Sequence, residues 1–428
     1  MKDFGDVYIA RSRYSKLNTK DDVDTPAARA LAQEAAEQSM VLRESPSQSL
    51  LERLGHQAPE SCFERLLAIT VMNHDETLPL QRSSTKRLAL IGPNANATKT
   101  MQGNYATSKP PLLVSPVEGF EALGIHVEYV EGCGVASPVK PAEIAAAVAA
   151  AKAADAVVVV AGLDATQESE GHDRSSLLLP AGQLTLIEAV AAAASAPIVL
   201  LLMSGSALDV ASLVRNPKVG AIMWVGYPGQ AGGIAIAEAV LGVTAVAGRS
   251  PMTWYFANYT SQVNKTQMDL RPSSATGYPG RTHRFVSEPV LFPFGAGLHY
   301  SSFTTQLESQ ATVSLADAEA ELEKTHNVPH LAQTIVTPKV TLKNTGLIQS
   351  DFTVLLFLSP PNAGQRGRPL QQLRQFERVA TTAGGAHEVE LPLTCHDFAL
   401  AGEDGALAIA PGAWKLRVDG SETVVHVQ

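Results

Sequence analysis

The sequence predicts an α/β fold, a doubly wound, mostly parallel sheet with helices on both faces (an α/β/α sandwich), followed by a smaller all-β sandwich. Three observations carry this reading. Between residues 86 and 255, uninterrupted Val/Ile/Leu runs of strand length alternate with alanine-rich segments of helical length, the pattern of a parallel sheet buried on both faces. Beyond residue 334 the runs shorten, alternate apolar with polar, and are divided by Gly, Pro and Asn, as in antiparallel sheets. With 428 residues, 45% of them hydrophobic and 18% charged, the chain suits two or three packed domains and not a disordered polymer.

Taken in order, residues 20–40 form a helix opened by Asp24-Thr25-Pro26 and continued by alanine-rich helical spacing. Residues 43–72 interrupt the pattern with Ser, Pro and Gln clusters and weak helical periodicity. Strands are expected at 88–92, 127–130, 156–161, 198–203 and 221–225, with helices at 141–154, 181–194 and 230–241. The runs DAVVVVAG and PIVLLLMSG are the clearest, and the nearly all-Ala helix 143–154 suits tight packing on a sheet. Residues 256–300, rich in Pro, Gly, Asn and aromatics, read as a long ordered loop. Residues 308–333 read as a polar linker or irregular insertion. Strands at 337–343, 352–357, 387–391, 413–418 and 422–427 then make a sandwich of immunoglobulin or fibronectin type III texture, without the Cys…Trp…Cys spacing of a true immunoglobulin domain. The expected division is a connecting segment at 1–80 with an atypical insert at 43–72, a sheet domain at 81–305, a linker at 306–333 and a sandwich at 334–428.

Composition excludes several function classes. No stretch approaches the roughly 18–20 apolar residues of a membrane-spanning helix. The 33 Lys+Arg against 42 Asp+Glu, net charge -9, with no basic stripe, argue against nucleic acid as the main partner. Cys62, Cys133 and Cys395 are odd in number and far apart, which is neither a disulfide framework nor a metal knuckle. No metal or cofactor is expected. The first residues, MKDFGD, hold no apolar segment of a secretory signal, yet Asn96, Asn258 and Asn264 each begin an Asn-x-Thr glycosylation triplet.

In a doubly wound sheet, ligands lie beyond the carboxyl ends of the strands. The loop after strand 156–161 reads GLDATQESEGHDR and places four carboxylates, His172 and Arg174 within eleven residues. Glu168 and Glu170, two apart, can be held in different environments, one of them as a proton donor. Arg174 could fix Asp173 through a bidentate pair. The alternative is a solvated charged loop. GYPGQAGG at 226–233 follows a strand and opens a helix but matches no phosphate-binding motif, so close helix–strand packing is its expected role. MSGS at 203–206 is not a G-x-S-x-G nucleophile elbow. His283 and His299 lack metal-ligand spacing and are expected to be hydrogen-bonded structural histidines.

Several ordered segments resemble family 3 glycoside hydrolases, in particular the fungal and plant β-xylosidase branch and its β-glucosidase relatives. They are VDTPAARALAQEAAEQSMVL, LALIGPNANAT, MQGNYATSKPPLLVSPVEGF, VVVVAGLDATQESEGHDRSSLLLPAGQLTLI, IMWVGYPGQAGGIAIAEAVLG, GRTHRFV and LFPFGAGLHYSSF. The tail from VTLKNTGLIQSDF to PGAWKLRV resembles that family's fibronectin type III-like domain. The resemblance covers most of residues 20–42 and 73–428, and it implies retaining hydrolysis of a terminal β-linked sugar by two carboxylates. It places the acid/base glutamate in the loop 167–174, at Glu168 or Glu170, with Glu168 slightly favoured, and makes His172, Asp173 and Arg174 structural support. It also departs from the family pattern. The nucleophilic aspartate of the family sits on an N-terminal (β/α)₈ barrel, which needs about 250 residues, and no residue here matches it. Residues 43–72 stand where the family runs on directly, and Ser206 stands where a glycine is usual.

The expectation is therefore a family 3 β-xylosidase or β-glucosidase portion that carries the acid/base loop without the nucleophile, with negligible hydrolysis by this chain alone. Its partner would be a β-linked xyloside, glucoside or oligosaccharide together with a barrel domain, and the family's compartment is extracellular. The second reading is a non-catalytic carbohydrate- or partner-binding remnant. A nucleotide-binding reading rests on fold analogy and one Gly-rich turn, and it carries little weight.

Overall fold

The computed structural model describes residues 25–43, 73, 76–104, 106, 110, 112–264, 266–402 and 404–428. Most of the atypical segment 43–72, with Cys62, lies outside them.

Helix α1 (Pro26–Ser39) begins where the sequence places it: Thr25 accepts the Ala28 amide at 3.0 Å and Pro26 occupies the first turn. The chain continues through β1 (Val41–Arg43), β2 (Arg87–Ile91), α2 (Pro116–Ala122), β3 (His126–Val130), α3 (Pro141–Ala153), β4 (Ala156–Gly162) and α4 (Ala181–Ala193). It then forms β5 (Ile198–Met203), α5 (Ala211–Val214), β6 (Val219–Trp224), α6 (Gly232–Val240) and the short α7 (Thr282–Phe285). The six strands make one sheet in the order β1-β6-β5-β4-β2-β3, parallel except for the edge strand β1.

Two cores lie on the two faces. On one, Val157, Val159 and Ala161 of β4 pack with residues of α3, α4 and α5. On the other, Val158 and Val160 pack with Ala36 of α1, Phe120 of α2 and Ile236 of α6. Alternate residues of one strand thus serve opposite cores, which is why the strand is apolar throughout. Each such valine contributes roughly 1.5–3 kcal/mol by leaving water. Helix α2 was not anticipated. Its signal is present in Ser115-Pro116-Val117-Glu118, which forms a complete capping box.

The sandwich comprises β7 (Phe303–Glu308), β8 (Thr312–Val313), α8 (Leu315–Thr325), β9 (Thr334–Val336), β10 (Lys339–Asn344), β11 (Ser350–Ser359), β12 (Gln372–Thr381) and β13 (Ala386–Glu390). The short β14 (Leu393–Thr394), β15 (Ala399–Ala401) and β16 (Leu407–Ile409) precede β17 (Gly412–Val418) and β18 (Ser421–Val427). A five-stranded sheet, β12-β11-β17-β18-β8, faces a three-stranded one, β13-β10-β7. Fully buried Trp414 stands in its core, donating its indole N–H to the Ala410 carbonyl at 2.8 Å.

Three expectations need correction. Residues 306–333 are not a linker: β7 pairs antiparallel with β10, β8 pairs parallel with β18, and α8 buries Ala318 and Leu322 in the sandwich core. Helix α8 was obscured by its acidic solvent face. The strand β12 was missed, because as an edge strand with mostly half-exposed residues it lacks clean alternation. His283 and His299 are ring-stacked: His283 lies 4.2 Å from Phe294 and His299 5.0 Å from Phe352. Both His299 ring nitrogens are buried.

Candidate active site

Strand β4 delivers the acidic loop to the carboxyl edge of the sheet. Its last residue, Gly162, has φ 139°, and a Cβ there would stand 2.0 Å from the Met203 carbonyl oxygen. Only glycine lets β4 and β5 close at this point. Gln183 of α4, fully buried, braces the turn: it accepts the Gly162 amide at 2.8 Å and donates back to the Gly162 carbonyl at 2.7 Å. Asn94, from the loop after β2, donates to the Leu163 carbonyl at 3.2 Å. Asp164 then folds the chain into a turn by accepting the Thr166 amide at 2.8 Å.

The two glutamates that follow have opposite surroundings. The Oε1 of Glu168 accepts the Gly205 amide and the Tyr227 hydroxyl, each at 2.6 Å, and its Oε2 accepts the Ser206 hydroxyl. Both oxygens are committed. Glu170 sits with Gly171 at the tip of a two-residue hairpin closed by Ser169 and His172, whose backbones exchange hydrogen bonds at 3.3 and 2.9 Å. Gly171 has φ 79°, as the turn requires. Glu170 is exposed, and the described residues give it no hydrogen bond.

Arg174 closes the far side of the loop. Its guanidinium donates to the Ser206 hydroxyl at 2.6 Å, to the Ala207 carbonyl at 3.0 Å and to the Ser176 carbonyl at 2.8 Å. The anticipated pairing with Asp173 gives way to these bonds, and the carboxylate that acts electrostatically on Arg174 is Glu168. Asp173 itself is exposed. His172 faces Ser169 Oγ through Nδ1 at 3.3 Å. Arg174, Ser206 and Glu168 therefore form a continuous chain that ties the hairpin to the turn after β5.

Tyr227 and Ser206 were not singled out as site residues by sequence, although both lie in loops after strands at the same sheet edge. The Tyr227 ring packs over Gly205 and Gly103, where added Cβ atoms would lie 3.2 and 3.4 Å from it. Burial, then the bond to Glu168, raises its phenol pKa well above the ordinary value. Gly233 of the Gly-rich segment serves close packing, but of helix on helix and not the expected helix on strand: a Cβ on Gly119 of α2 would lie 2.0 Å from the Gly233 carbonyl oxygen of α6. All three sequon asparagines are exposed, and Asn264 accepts its own Thr266 amide and hydroxyl at 3.0 and 2.9 Å. Among the described residues, no cluster of three or more His, Cys, Asp or Glu could hold a metal, and no helix is long and apolar enough to cross a membrane.

A parallel sheet whose carboxyl edge presents an acidic hairpin, joined to a fibronectin-like sandwich, defines a two-module architecture. Residues 69–300 match the glycosyl hydrolase family 3 C-terminal domain, and residues 352–422 the fibronectin type III-like domain. The chain belongs to glycoside hydrolase family 3. It is 38% identical over 410 residues to the probable exo-1,4-beta-xylosidase xlnD of Neosartorya fischeri, spanning 96% of this chain and 48% of that protein. To beta-D-xylosidase 1 of Arabidopsis thaliana it is 36% identical over 430 residues, spanning 97% of this chain and 51% of that one. A solved family 3 exo-beta-xylosidase (XlnD), in complex with a xylobiose aziridine activity-based probe, superposes with a TM-score of 0.84 at 31% identity, over 98% of this chain and 50% of that one. A Listeria innocua beta-glucosidase, at 21% identity and TM-score 0.74, shares the fold. The chain spans about half the length of the curated relatives it matches.

Proposed function

We propose that this chain supplies the acid/base half of a retaining β-glycosidase acting on terminal β-linked sugars, with Glu170 as the acid/base and Glu168 as the residue that positions it. The observation that carries this reading is the contrast between the two carboxylates. A general acid needs an oxygen free to present a proton to the leaving group. Both oxygens of Glu168 already accept hydrogen bonds from Gly205, Ser206 and Tyr227, whereas Glu170 stands exposed at the hairpin tip. This reverses the slight preference for Glu168 drawn from the sequence. Asp173 and His172 are hairpin residues in this reading, and Arg174 anchors it.

In retaining hydrolysis the second carboxylate, about 5–5.5 Å from the first, attacks the anomeric carbon while the first protonates the departing oxygen. The same group then removes a proton from the water that releases the sugar. We assign the nucleophile to a barrel module of the kind the family resemblance implies, docked over the carboxyl edge of this sheet. The names of the relatives favour β-xylosides; a Medicago sativa relative, 36% identical, is a beta-xylosidase/alpha-L-arabinofuranosidase. The exposed sequon asparagines fit an extracellular enzyme.

The test is to assay the 428-residue chain, and the chain joined to the N-terminal half of the Neosartorya relative, on aryl β-xylosides and β-glucosides. The chimera is expected to turn over xylosides in preference to glucosides, and the chain alone neither. Normal glycosidase turnover by the chain alone, or a well-folded chimera with none, overturns the reading.

A further inference from the structure

Helix α1 lies on α6, and one polar contact crosses their otherwise apolar junction. The Gln33 side-chain amide of α1 donates to Glu37 Oε1 at 2.8 Å and to Glu238 Oε2 of α6 at 2.9 Å. Two carboxyl groups from different helices thus converge on a single nitrogen. The Thr244 hydroxyl, at 3.4 Å from Glu37 Oε2, is a second hydrogen-bond donor to the pair. Glu238 is the one charged residue of α6.

Among the described residues, no cation acts electrostatically on Glu238. Helix α1 carries Arg29, which has an interaction of its own, together with Glu34 and Glu37, and Glu34 accepts a bond from Gln38 at 2.8 Å. Helix α2 carries Glu118, engaged at its own N-cap by the Ser115 amide at 2.7 Å, and Glu121. The turn 242–247 is uncharged, and the Tyr300 phenol donates to the Ala239 carbonyl at 2.8 Å. Of all these groups only Glu37 acts electrostatically on Glu238.

We propose that Glu37 and Glu238 form a single proton-binding site that fastens α1 to the sheet domain, so that α1 docks more tightly in acid than at neutral pH. Two carboxylates brought together on one amide nitrogen repel, and one shared proton converts that repulsion into a hydrogen bond. Burial, reinforced by Glu37, raises the Glu238 pKa to about 7. The sign follows from the free state: with α1 undocked, both groups titrate in the ordinary range, about 4.3. Docking is then strongest below that range, weakens as pH climbs through it, and reaches its lower level above about pH 7. Helix α1 leads into β1, which pairs with β6, and the Gln38 carbonyl takes a 3.4 Å bond from Arg378 of the sandwich. The proton site therefore sits where the N-terminal strap, the sheet and the sandwich meet.

Hydrogen exchange of the α1 amides in the 428-residue chain, corrected for intrinsic exchange rates, tests this between pH 5 and pH 8. Protection of α1 relative to β4 and β5 is expected to fall about tenfold or more across that range, the full shift being discounted for solvent screening. Glu238→Gln keeps a donor against Glu37 at every pH and should hold α1 protection constant, and Glu37→Gln should do the same from the other side. An unchanged α1 protection from pH 5 to pH 8 in the wild-type chain, or an undiminished slope in both variants, overturns the proposal.

Discussion

Strand β4 and the hairpin that follows it are neighbours in sequence and are built by different physics. The strand is held by burial: Val157 to Ala161 are at most 5% exposed and fill two cores. The hairpin has little apolar area to bury, and its shape comes from a few directed hydrogen bonds, three of them converging on Glu168. Burial is redundant, because many side chains share it, whereas a hydrogen-bond hub depends on single atoms. The strand should therefore govern stability and the hub should govern where Glu170 stands.

The largest expected effect lies at the joint between the two. Gly162→Ala forces a side chain into the Met203 carbonyl at an unfavourable φ, and should cost about 4 kcal/mol or more. Chemical denaturation measures it; a loss below about 1 kcal/mol would show that β4 and β5 do not close as described. Next comes the hub. Tyr227→Phe removes one donor to Glu168 and should cost about 1–3 kcal/mol, with faster amide exchange confined to residues 164–174. In contrast, Glu170→Gln should leave the unfolding midpoint within about 0.5 kcal/mol of wild type. Equal costs at the two positions would erase the distinction between them.

A third contrast concerns acid. Burial first, then Arg249, lowers the His299 pKa to about 3. An unfolded histidine binds its proton near pH 6.5, so the contribution of neutral His299 is present above that pH and is lost as pH falls toward 3. His299→Phe keeps the ring stack on Phe352 and should flatten the decline between pH 6.5 and 4 by about 1–3 kcal/mol. Urea midpoints across that range measure it, and an unaltered decline would place acid sensitivity elsewhere. This loss runs opposite to the proton site on α1, which strengthens in acid, so overall stability and α1 protection should move apart.

Legibility in the sequence follows the same division. Strands β2, β4, β5 and β6 could be read because a short, mostly Val/Ile/Leu run between turn residues suits little besides a strand buried on both faces. The acidic loop could be located because such sheets place their chemistry after a strand. What could not be read was the meaning of Glu-x-Glu. The groups that distinguish Glu168 from Glu170 lie 37, 38 and 59 residues along the chain, in turns that look like packing glycines and a serine in place of a glycine. Helix α8 escaped for a related reason: its burial is visible only as Ala318, Leu322 and Thr325 at helical spacing within an acidic segment. His299 escaped because a one-letter sequence does not show a histidine ring stacked on Phe352 with Phe303 edge-on to it.

The assignment of Glu170 as the acid/base is tested most directly in the chimera described above, by comparing aryl β-xylosides of good and poor leaving groups. If Glu170 protonates the departing oxygen, Glu170→Gln should lower kcat on a poor leaving group by about 10²–10⁴-fold and leave glycosylation of a dinitrophenyl xyloside nearly intact. Glu168→Gln should weaken both substrates to a similar degree, as expected of a group that positions the hairpin. The reverse pattern, with leaving-group dependence appearing in Glu168→Gln and not in Glu170→Gln, would contradict the account.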